Sequence, residues 1–195
     1  MRPAGLDACV LLNLLASRRP LAEFAASIGT QLHVVRQVAN ESLWIDHQDA
    51  DGVREHVEVD SLTNGAQIQQ VSLEGNELPR FIELSFELGD GEAATLSLVE
   101  SRRWLLVTDD RKAIKVSRDL DPQPDVIGTP AILRAWSRGR PATEISNCLL
   151  LIEARAHYRP ASGYPDGDWW RAHAAPDRGS DDGRLTADEP EAGLS

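Results

Sequence analysis

Residues 88–120, LGDGEAATLSLVESRRWLLVTDDRKAIKVSRDL, carry the strongest indication of the fold. A Gly-Asp-Gly break precedes a predicted helix over 92–101, and the continuous apolar run WLLVT at 104–108 predicts a buried strand. Asp109 and Asp110 end that strand, and the segment after them predicts a second helix. A strand without polar alternation, placed between two helices, indicates a parallel sheet covered on both faces.

The same alternation extends in both directions from this stretch. Further strands are predicted at 31–35, 68–73 and 125–128, after a short apolar lead over residues 4–6. Residues 46–66 are polar and loop-like, although EHVEVD (55–60) alternates as a short strand would. Further helices are predicted at 8–17, 21–29, 38–45, 77–88, 112–120, 129–139 and 142–157. We therefore predict an α/β fold, a three-layer α/β/α sandwich with a mainly parallel central sheet.

Composition restricts the class of protein. The 195 residues suffice for one domain with a substantial core, and no apolar run approaches the length of a membrane span. Cys9 and Cys148 provide neither a disulfide framework nor a zinc cluster, which suits a reduced cytoplasm. The apolar start resembles a signal peptide, but Asp7 and Asn13 interrupt it. We expect a cytoplasmic protein without a membrane partner.

The domain is predicted to occupy residues 1–162. Residues 163–195 form an acidic tail rich in Gly, Pro, Asp, Ala and Ser, in which apolar periodicity disappears. Such a composition predicts disorder, because it buries too little surface to offset the entropy lost on ordering. Trp169 and Trp170 are the only anchors in this tail, and they could dock on the body or on a partner.

Charge is distributed unevenly along the chain, whose net charge is −11. Residues 41–100 contain fourteen acidic and two basic side chains, whereas residues 101–165 contain eleven basic and seven acidic ones. A local excess of positive charge can attract an anionic substrate even when the whole protein is acidic. The alternative is a solvated face without a ligand.

Several acids lie where function gathers in an open parallel sheet, near the carboxyl ends of strands. Converging carboxylates repel one another unless a cation neutralises them, and oxygen-only ligands select Mg²⁺ or Mn²⁺. Each acid also has a structural interpretation, as a helix cap, as a first-turn acid or as a surface charge. These acids are Asp7, Glu41, Glu92, Asp109 and Asp110.

Four segments, in order, resemble the PIN domain family. LDACVLLNLLAS (6–17) is similar to its opening strand, Asp and helix, and VVRQVANESLWI (34–45) to its second strand and Glu-bearing helix. Residues 88–120 resemble the third and fourth elements, in the variant with G-x-GE and Asp-Asp motifs. VIGTPAILRAW (126–136) resembles the part that follows, so the resemblance covers about residues 4–160.

The resemblance implies a Mg²⁺- or Mn²⁺-dependent ribonuclease that hydrolyses RNA phosphodiesters and leaves a 5′-phosphate. The family's acidic site falls on Asp7, Glu41, Glu92 and the Asp109–Asp110 pair, with Asp110 at the usual ligand position. Thr108 matches the hydroxyl residue beside that site, while Asn13 and Asp90 are weaker, more structural candidates. Contacts with the RNA phosphates are expected from Arg103, Arg111, Lys112 and Lys115.

The resemblance also implies partners. PIN domains of this size are most often the toxin (VapC-like) of a bacterial type II toxin–antitoxin pair, which a small antitoxin inhibits. A homodimer is expected as well, and residues 142–157 are a candidate surface, although this helix is better suited to the core. Two alternatives remain open: a free-standing PIN nuclease in RNA processing or decay, and a non-catalytic interaction module.

Overall fold

A computed structural model describes residues 1–41, 43–46, 52–65 and 67–174 of the chain. Five parallel strands form the central sheet, and two short antiparallel strands form a separate ribbon. The strands are β1 (Arg2–Leu6), β2 (Thr30–Val35), β3 (Trp44–Asp46), β4 (Arg54–His56), β5 (Gln69–Val71), β6 (Leu105–Val107) and β7 (Val126–Ile127). The strands β3 and β4 make up the ribbon.

The central sheet has the strand order β5-β2-β1-β6-β7. Ala4 in β1 lies opposite Leu32 in β2 and Leu105 in β6, so β1 occupies the middle of the sheet. From β1 the chain first proceeds to β2 and β5, and it then crosses back to β6 and β7. The direction therefore reverses between β1 and β6, and a crevice opens at the carboxyl ends of these two strands.

Helices cover both faces of the sheet. They are α1 (Ala8–Ala16), α2 (Leu21–Ser27), α3 (Arg36–Ala39), α4 (Val59–Asn64), α5 (Glu77–Ser85), α6 (Asp90–Arg102), α7 (Arg111–Ser117), α8 (Thr129–Trp136), α9 (Ala142–Arg155) and α10 (Gly167–His173). On one face α6 packs on β1, β2 and β6, with α5 and α7 beside it. On the other face α1, α2, α8, α9 and α10 pack against one another. The predicted three-layer α/β/α sandwich is thus confirmed.

Helix α6 lies very close to the middle of the sheet. A Cβ atom at Gly5 would meet the Cγ2 atoms of Val99 at 2.6 Å and Thr95 at 3.3 Å. Glycine at this position of β1 therefore lets the helix approach the sheet. Leu96 and Leu98 of α6 are fully buried, as is Leu106 on β6. No described helix is long and apolar enough to cross a membrane.

The predicted helix over 38–45 is wrong. Helix α3 ends at Ala39, and Glu41 follows it in a turn. Trp44–Asp46 instead pairs with Arg54–His56, so that Ile45 is buried while Trp44 packs its ring on His56. The aromatic and β-branched residues of this segment favour a strand once a partner strand is available.

The ribbon and a short helix occupy a region that was expected to be mostly loop. Part of the alternating segment at 55–60 does form a strand, but it begins at Arg54 and ends at His56. Val59–Asn64 then forms α4, with Val59 buried. Residues 47–51 and 66 of the same region lie outside the described residues.

The folded body continues beyond the boundary expected at residue 162. Trp170, on α10, is fully buried; its ring packs edge-on against Tyr158 and its indole N–H donates to Glu153 at 2.8 Å. Asp166, at the start of α10, pairs with Arg134 of α8. The tryptophan burial offsets the entropy of ordering a Gly- and Pro-rich segment. The prediction of disorder for residues 175–195 lies outside the described residues.

Candidate active site

The crevice between β1 and β6 contains Asp7 and Thr108 at its base. Asp7 follows β1 directly, and its amide donates to the carbonyl of Val107 at 3.0 Å. The Thr108 hydroxyl, at the end of β6, donates to Asp7 Oδ2 at 2.7 Å. Both side chains are almost completely buried. The sequence predicted that Asp7, after the first strand, belongs to the site and that Thr108, after the fourth parallel strand, lies beside it. The two side chains are in contact.

Asp7 also caps helix α1. Its Oδ1 accepts the Ala8 amide at 2.8 Å, and the Cys9 thiol donates to Oδ2 at 3.2 Å. Burial raises the pKa of Asp7, the hydrogen bonds from Thr108, Cys9 and Ala8 act in the opposite direction, and the charge of Asp110 raises it further. The structural and catalytic interpretations of this residue are compatible, because Oδ1 accepts one hydrogen bond and a carboxylate oxygen has two lone pairs.

Asp110 begins α7 at the same edge of the sheet. Its Oδ1 accepts the Ala113 amide at 2.7 Å, and its own amide donates to the Thr108 hydroxyl at 3.1 Å. Thr108 thus links Asp7 to Asp110 through one hydroxyl. This link connects the Asp7 carboxylate to the backbone of Asp110, and the two residues follow the adjacent strands β1 and β6.

Glu92 lies in the first turn of α6, above this pair. Its Oε2 accepts the Gly89 amide at 3.2 Å, so the side chain caps its own helix. Burial raises the pKa of Glu92, and the charges of Asp110 and Asp7 raise it further, against the Gly89 hydrogen bond and the charge of Lys112. Glu92 is therefore near the two aspartates even though α6 begins more than eighty residues after Asp7.

Glu41 reaches the same cluster from the turn after α3. Its carboxylate lies against Gly91, so close that a Cβ atom at Gly91 would overlap Oε1 and would also contact Val38 at 3.0 Å. Burial raises the pKa of Glu41, and so do the charges of Asp7, Glu92 and Asp90, in that order. Because Gly91 has no side chain, the Glu41 carboxylate can approach the start of α6.

The residues present fit a divalent cation. The charge of Asp110 raises the pKa of Asp7 and of Glu92, and the charge of Asp7 raises the pKa of Glu41 and of Glu92. The charge of Lys112 acts against the rise in the pKa of Glu92. Among the described residues, no hydrogen bond reaches Asp110 Oδ2, Glu92 Oε1 or either oxygen of Glu41. Oxygen donors with unused lone pairs are the set that Mg²⁺ and Mn²⁺ prefer.

The carboxylates do not form a complete metal-binding site by themselves. Within the described ranges, no group of three or more His, Cys, Asp or Glu side chains is arranged to hold a metal ion as it stands. Mg²⁺ commonly uses one or two protein carboxylates and completes its shell with water and substrate phosphate. An open arrangement of carboxylates is consistent with that mode of binding.

Asp109 is oriented differently from Asp110. Its Oδ1 accepts the Thr129 amide at 3.0 Å and the Tyr164 hydroxyl at 2.9 Å, while Oδ2 accepts from Asn13 at 3.1 Å and from the Thr129 hydroxyl. Both oxygens are thus occupied by donors from α1, α8 and the C-terminal segment. Both oxygens of Asp109 are therefore used within the fold, whereas Asp110 uses Oδ1 to cap α7 and its Oδ2 accepts no hydrogen bond from a described residue. Asn13, a structural candidate, belongs to the same network.

The predicted RNA contacts divide into two groups. Arg111, Lys112 and Lys115 lie on α7, which begins at the site. Lys112 also donates to the carbonyl oxygen of Glu87. Arg103 precedes β6 and therefore lies at the amino ends of the strands, whereas the site lies at their carboxyl ends. The structure does not bring Arg103 to the carboxylates.

Comparison with known proteins identifies no relative. No family model, no curated protein and no solved structure matches this chain.

Four residues of the site region were not singled out by the sequence. Gly91 makes room for Glu41, Cys9 donates to Asp7, and Thr129 and Tyr164 hold Asp109. Gly91 did carry a signal, because it is the second glycine of the Gly-Asp-Gly break and a glycine often marks the close approach of two segments. Tyr164 had no such signal, since it lies in a segment with a disordered composition.

Proposed function

We propose that this chain is a divalent-metal-dependent endoribonuclease of the PIN type. The observation that carries the proposal is the convergence of Asp7, Glu41, Glu92 and Asp110 at the crevice between β1 and β6. Gathering four acids without matching cations costs stability, and a bound cation offsets that cost. The basic side chains of α7 beside the site favour an anionic polymer as the substrate.

Asp7 and Asp110 would hold the cation from the base of the crevice, with Glu41 and Glu92 completing the ligand set from above. A bound Mg²⁺ or Mn²⁺ supplies positive charge for the phosphate oxygens during in-line hydrolysis. Thr108 orients Asp7 through its hydroxyl and Asp110 through that residue's amide. Gly91 lets Glu41 enter the cluster. Arg111 and Lys112 would position the RNA backbone next to the carboxylates.

Cleavage of total RNA with Mg²⁺, Mn²⁺ or EDTA tests the proposal. We expect wild-type protein to cleave only with a divalent cation, and Asp110→Asn to lose at least about 100-fold of the rate because a ligand is removed. Asp119→Asn is the matched control, since Asp119 is an exposed acid after α7. No cleavage by wild type, together with no Mn²⁺ binding by calorimetry, would refute the proposal and favour an interaction module.

Asp7→Asn is a second variant for the same experiment. The amide removes a buried charge but also one of the acceptors used by Thr108, Cys9 and Ala8. We expect the free energy of unfolding to stay within about 1 kcal/mol of wild type, because these effects oppose one another. Cleavage should be lost. A fully active Asp7→Asn protein would contradict the assignment of the site.

We also propose, as part of this function, that the chain is the toxin of a bacterial type II pair and forms a homodimer. The uncompensated acids of the site would accept an Arg or Lys from a small antitoxin. Helix α9 is not a free dimer surface, because Ile145, Leu149 and Ile152 are buried in the body. Activity that a co-expressed small neighbouring gene product fails to inhibit would favour a free-standing nuclease. Sedimentation showing a monomer at micromolar concentration would remove the dimer.

A further inference from the structure

A cleft of about 820 Å³ lies beside the carboxylate cluster. Its walls are α7, β7, the start of α8 and residues 161–165 of the C-terminal segment. Arg111, which follows Asp110 directly, marks the end nearest the site. Gly128 and Tyr164 also line the cleft, and a Cβ atom at Gly128 would overlap Asp109 and the Tyr164 hydroxyl, so the cleft borders the residue that precedes Asp110.

One wall of the cleft is positively charged. It is lined by Arg111 and Lys115 of α7 and by Arg118, the residue directly after this helix. The spacing of these residues, i, i+4 and i+7, places them on one side of the helix. None of the three makes an ion pair with a residue in the described part of the chain. Asp125 is the one acid among the lining residues, and Arg2 already pairs with it at 2.6 Å. The cleft is therefore cationic within a protein of net charge −11.

The rest of the lining is largely uncharged. Val126, Ile127 and Ala131 line it from β7 and α8, and Pro165 and Tyr164 line it from the C-terminal segment. The Tyr164 ring is fixed because its hydroxyl donates to Asp109. A cleft lined by basic side chains from one helix and by apolar side chains and a fixed aromatic ring from other segments matches a single nucleic-acid strand, which offers both phosphates and bases.

We propose that this cleft binds the single-stranded RNA segment next to the scissile phosphate, with the phosphates on α7 and the bases against β7 and Tyr164. The proposal rests on the proposed nuclease function for the direction of the strand, which runs from the carboxylates into the cleft. It adds two elements: Arg118 as a substrate contact, and the C-terminal segment as one wall of the substrate site.

Binding without cleavage tests the cleft. Fluorescence anisotropy would follow fluorescein-labelled oligouridylate in EDTA, with wild type, Lys115→Gln/Arg118→Gln and Arg18→Gln. The double variant should raise the Kd about tenfold and lower the slope of log K against log salt by roughly 1.4, for two lost phosphate contacts. Arg18, an exposed arginine after α1, lies away from the cleft and makes no ion pair with a described residue. Arg18→Gln should bind as wild type does.

Each outcome has a definite meaning. An unchanged Kd and salt slope in the double variant overturns the cleft, and metal-dependent cleavage by wild type would then still support the nuclease. If wild type binds RNA through the cleft but cleaves nothing with either metal, the proposed function fails while the binding site remains. Equal affinity for oligouridylate and for its duplex with oligoadenylate overturns the single-strand assignment. Melting curves by circular dichroism establish that the variants are folded.

Discussion

Two adjacent aspartates, Asp109 and Asp110, have different surroundings although they are neighbours in the sequence. Asp109 turns toward α8 and accepts four hydrogen bonds, whereas Asp110 begins α7 and interacts electrostatically with Asp7 and Glu92. A sequence shows only an Asp-Asp pair here. The distinction depends on Thr129 and Tyr164, which lie 20 and 55 residues away from Asp109 along the chain.

Asparagine substitutions should distinguish the two residues. Asp109→Asn places an amide NH₂ opposite donors that a carboxylate accepts, so we expect the free energy of unfolding to fall by about 2 kcal/mol. Asp110→Asn can still cap α7 and should leave stability within about 1 kcal/mol of wild type while cleavage is lost. Urea unfolding and RNA cleavage of both variants measure this. The reverse pattern would show that Asp109 is the ligand.

Gly91→Ala should act on Glu41 without changing any carboxylate. The new methyl group overlaps the Glu41 carboxylate and contacts Val38, so Glu41 must leave the cluster. The alanine also stabilises the helix by about 0.5–1 kcal/mol, so stability should change little. We expect weaker Mn²⁺ binding by calorimetry. Gly65→Ala, at the end of α4, is the control for a general glycine effect. Unchanged Mn²⁺ affinity in Gly91→Ala would place Glu41 outside the ligand set.

The strands and helices of the layered body follow closely from the sequence. Continuous apolar runs such as 104–108 are buried on both faces, which fixes them as central strands. The segment 38–45 could not be assigned in this way. Its short apolar pattern fits a helix or a strand, and the choice depended on a partner at Arg54–His56.

The candidate site was predictable at the strand ends and less so elsewhere. Asp7 and Asp110 are placed by β1 and β6 themselves, so sequence order alone indicates that they converge. Glu41 reaches these two residues only because Gly91 has no side chain. Tyr164 reaches Asp109 only because the buried Trp170 anchors the segment that contains Tyr164. Neither contact leaves a local pattern, since both join segments far apart in the chain.

The pairing of β2 with β5 should be sensitive to pH through His33. This side chain lies between Trp104 and Gln69, and its ring nitrogens contact Gln69 Oε1 at 3.1 Å and the Gln31 carbonyl at 3.0 Å. Burial lowers the pKa of His33, and the charge of Arg102 lowers it further.

The unfolded chain therefore takes up the proton first, near the ordinary pKa of 6.5, and the stability contributed by neutral His33 is lost as pH falls below that value. The decrease in melting temperature on going from above pH 6.5 to below it should be larger for wild type than for His33→Gln. Equal falls in the two proteins would contradict the assignment of this pH dependence to His33.

The whole molecule depends on its C-terminal segment. Trp170 fills the space between α8, α9 and α10, and Tyr164 links the same segment to Asp109. Trp170→Ala should lower the free energy of unfolding by about 3–5 kcal/mol, because a fully buried indole leaves a cavity. Trp44→Ala, on a half-exposed tryptophan of the ribbon, should cost much less. Chemical denaturation measures both, and a loss for Trp170→Ala as small as the one expected for Trp44→Ala would contradict this role of Trp170.

The contact between Asp7 and Thr108 spans 101 residues, and the one between Asp109 and Tyr164 spans a further 55. Contacts between segments so far apart are slow to form during folding, because the entropy lost on closing a long loop must be overcome first. The candidate site is therefore expected to be completed only when the body around it has folded.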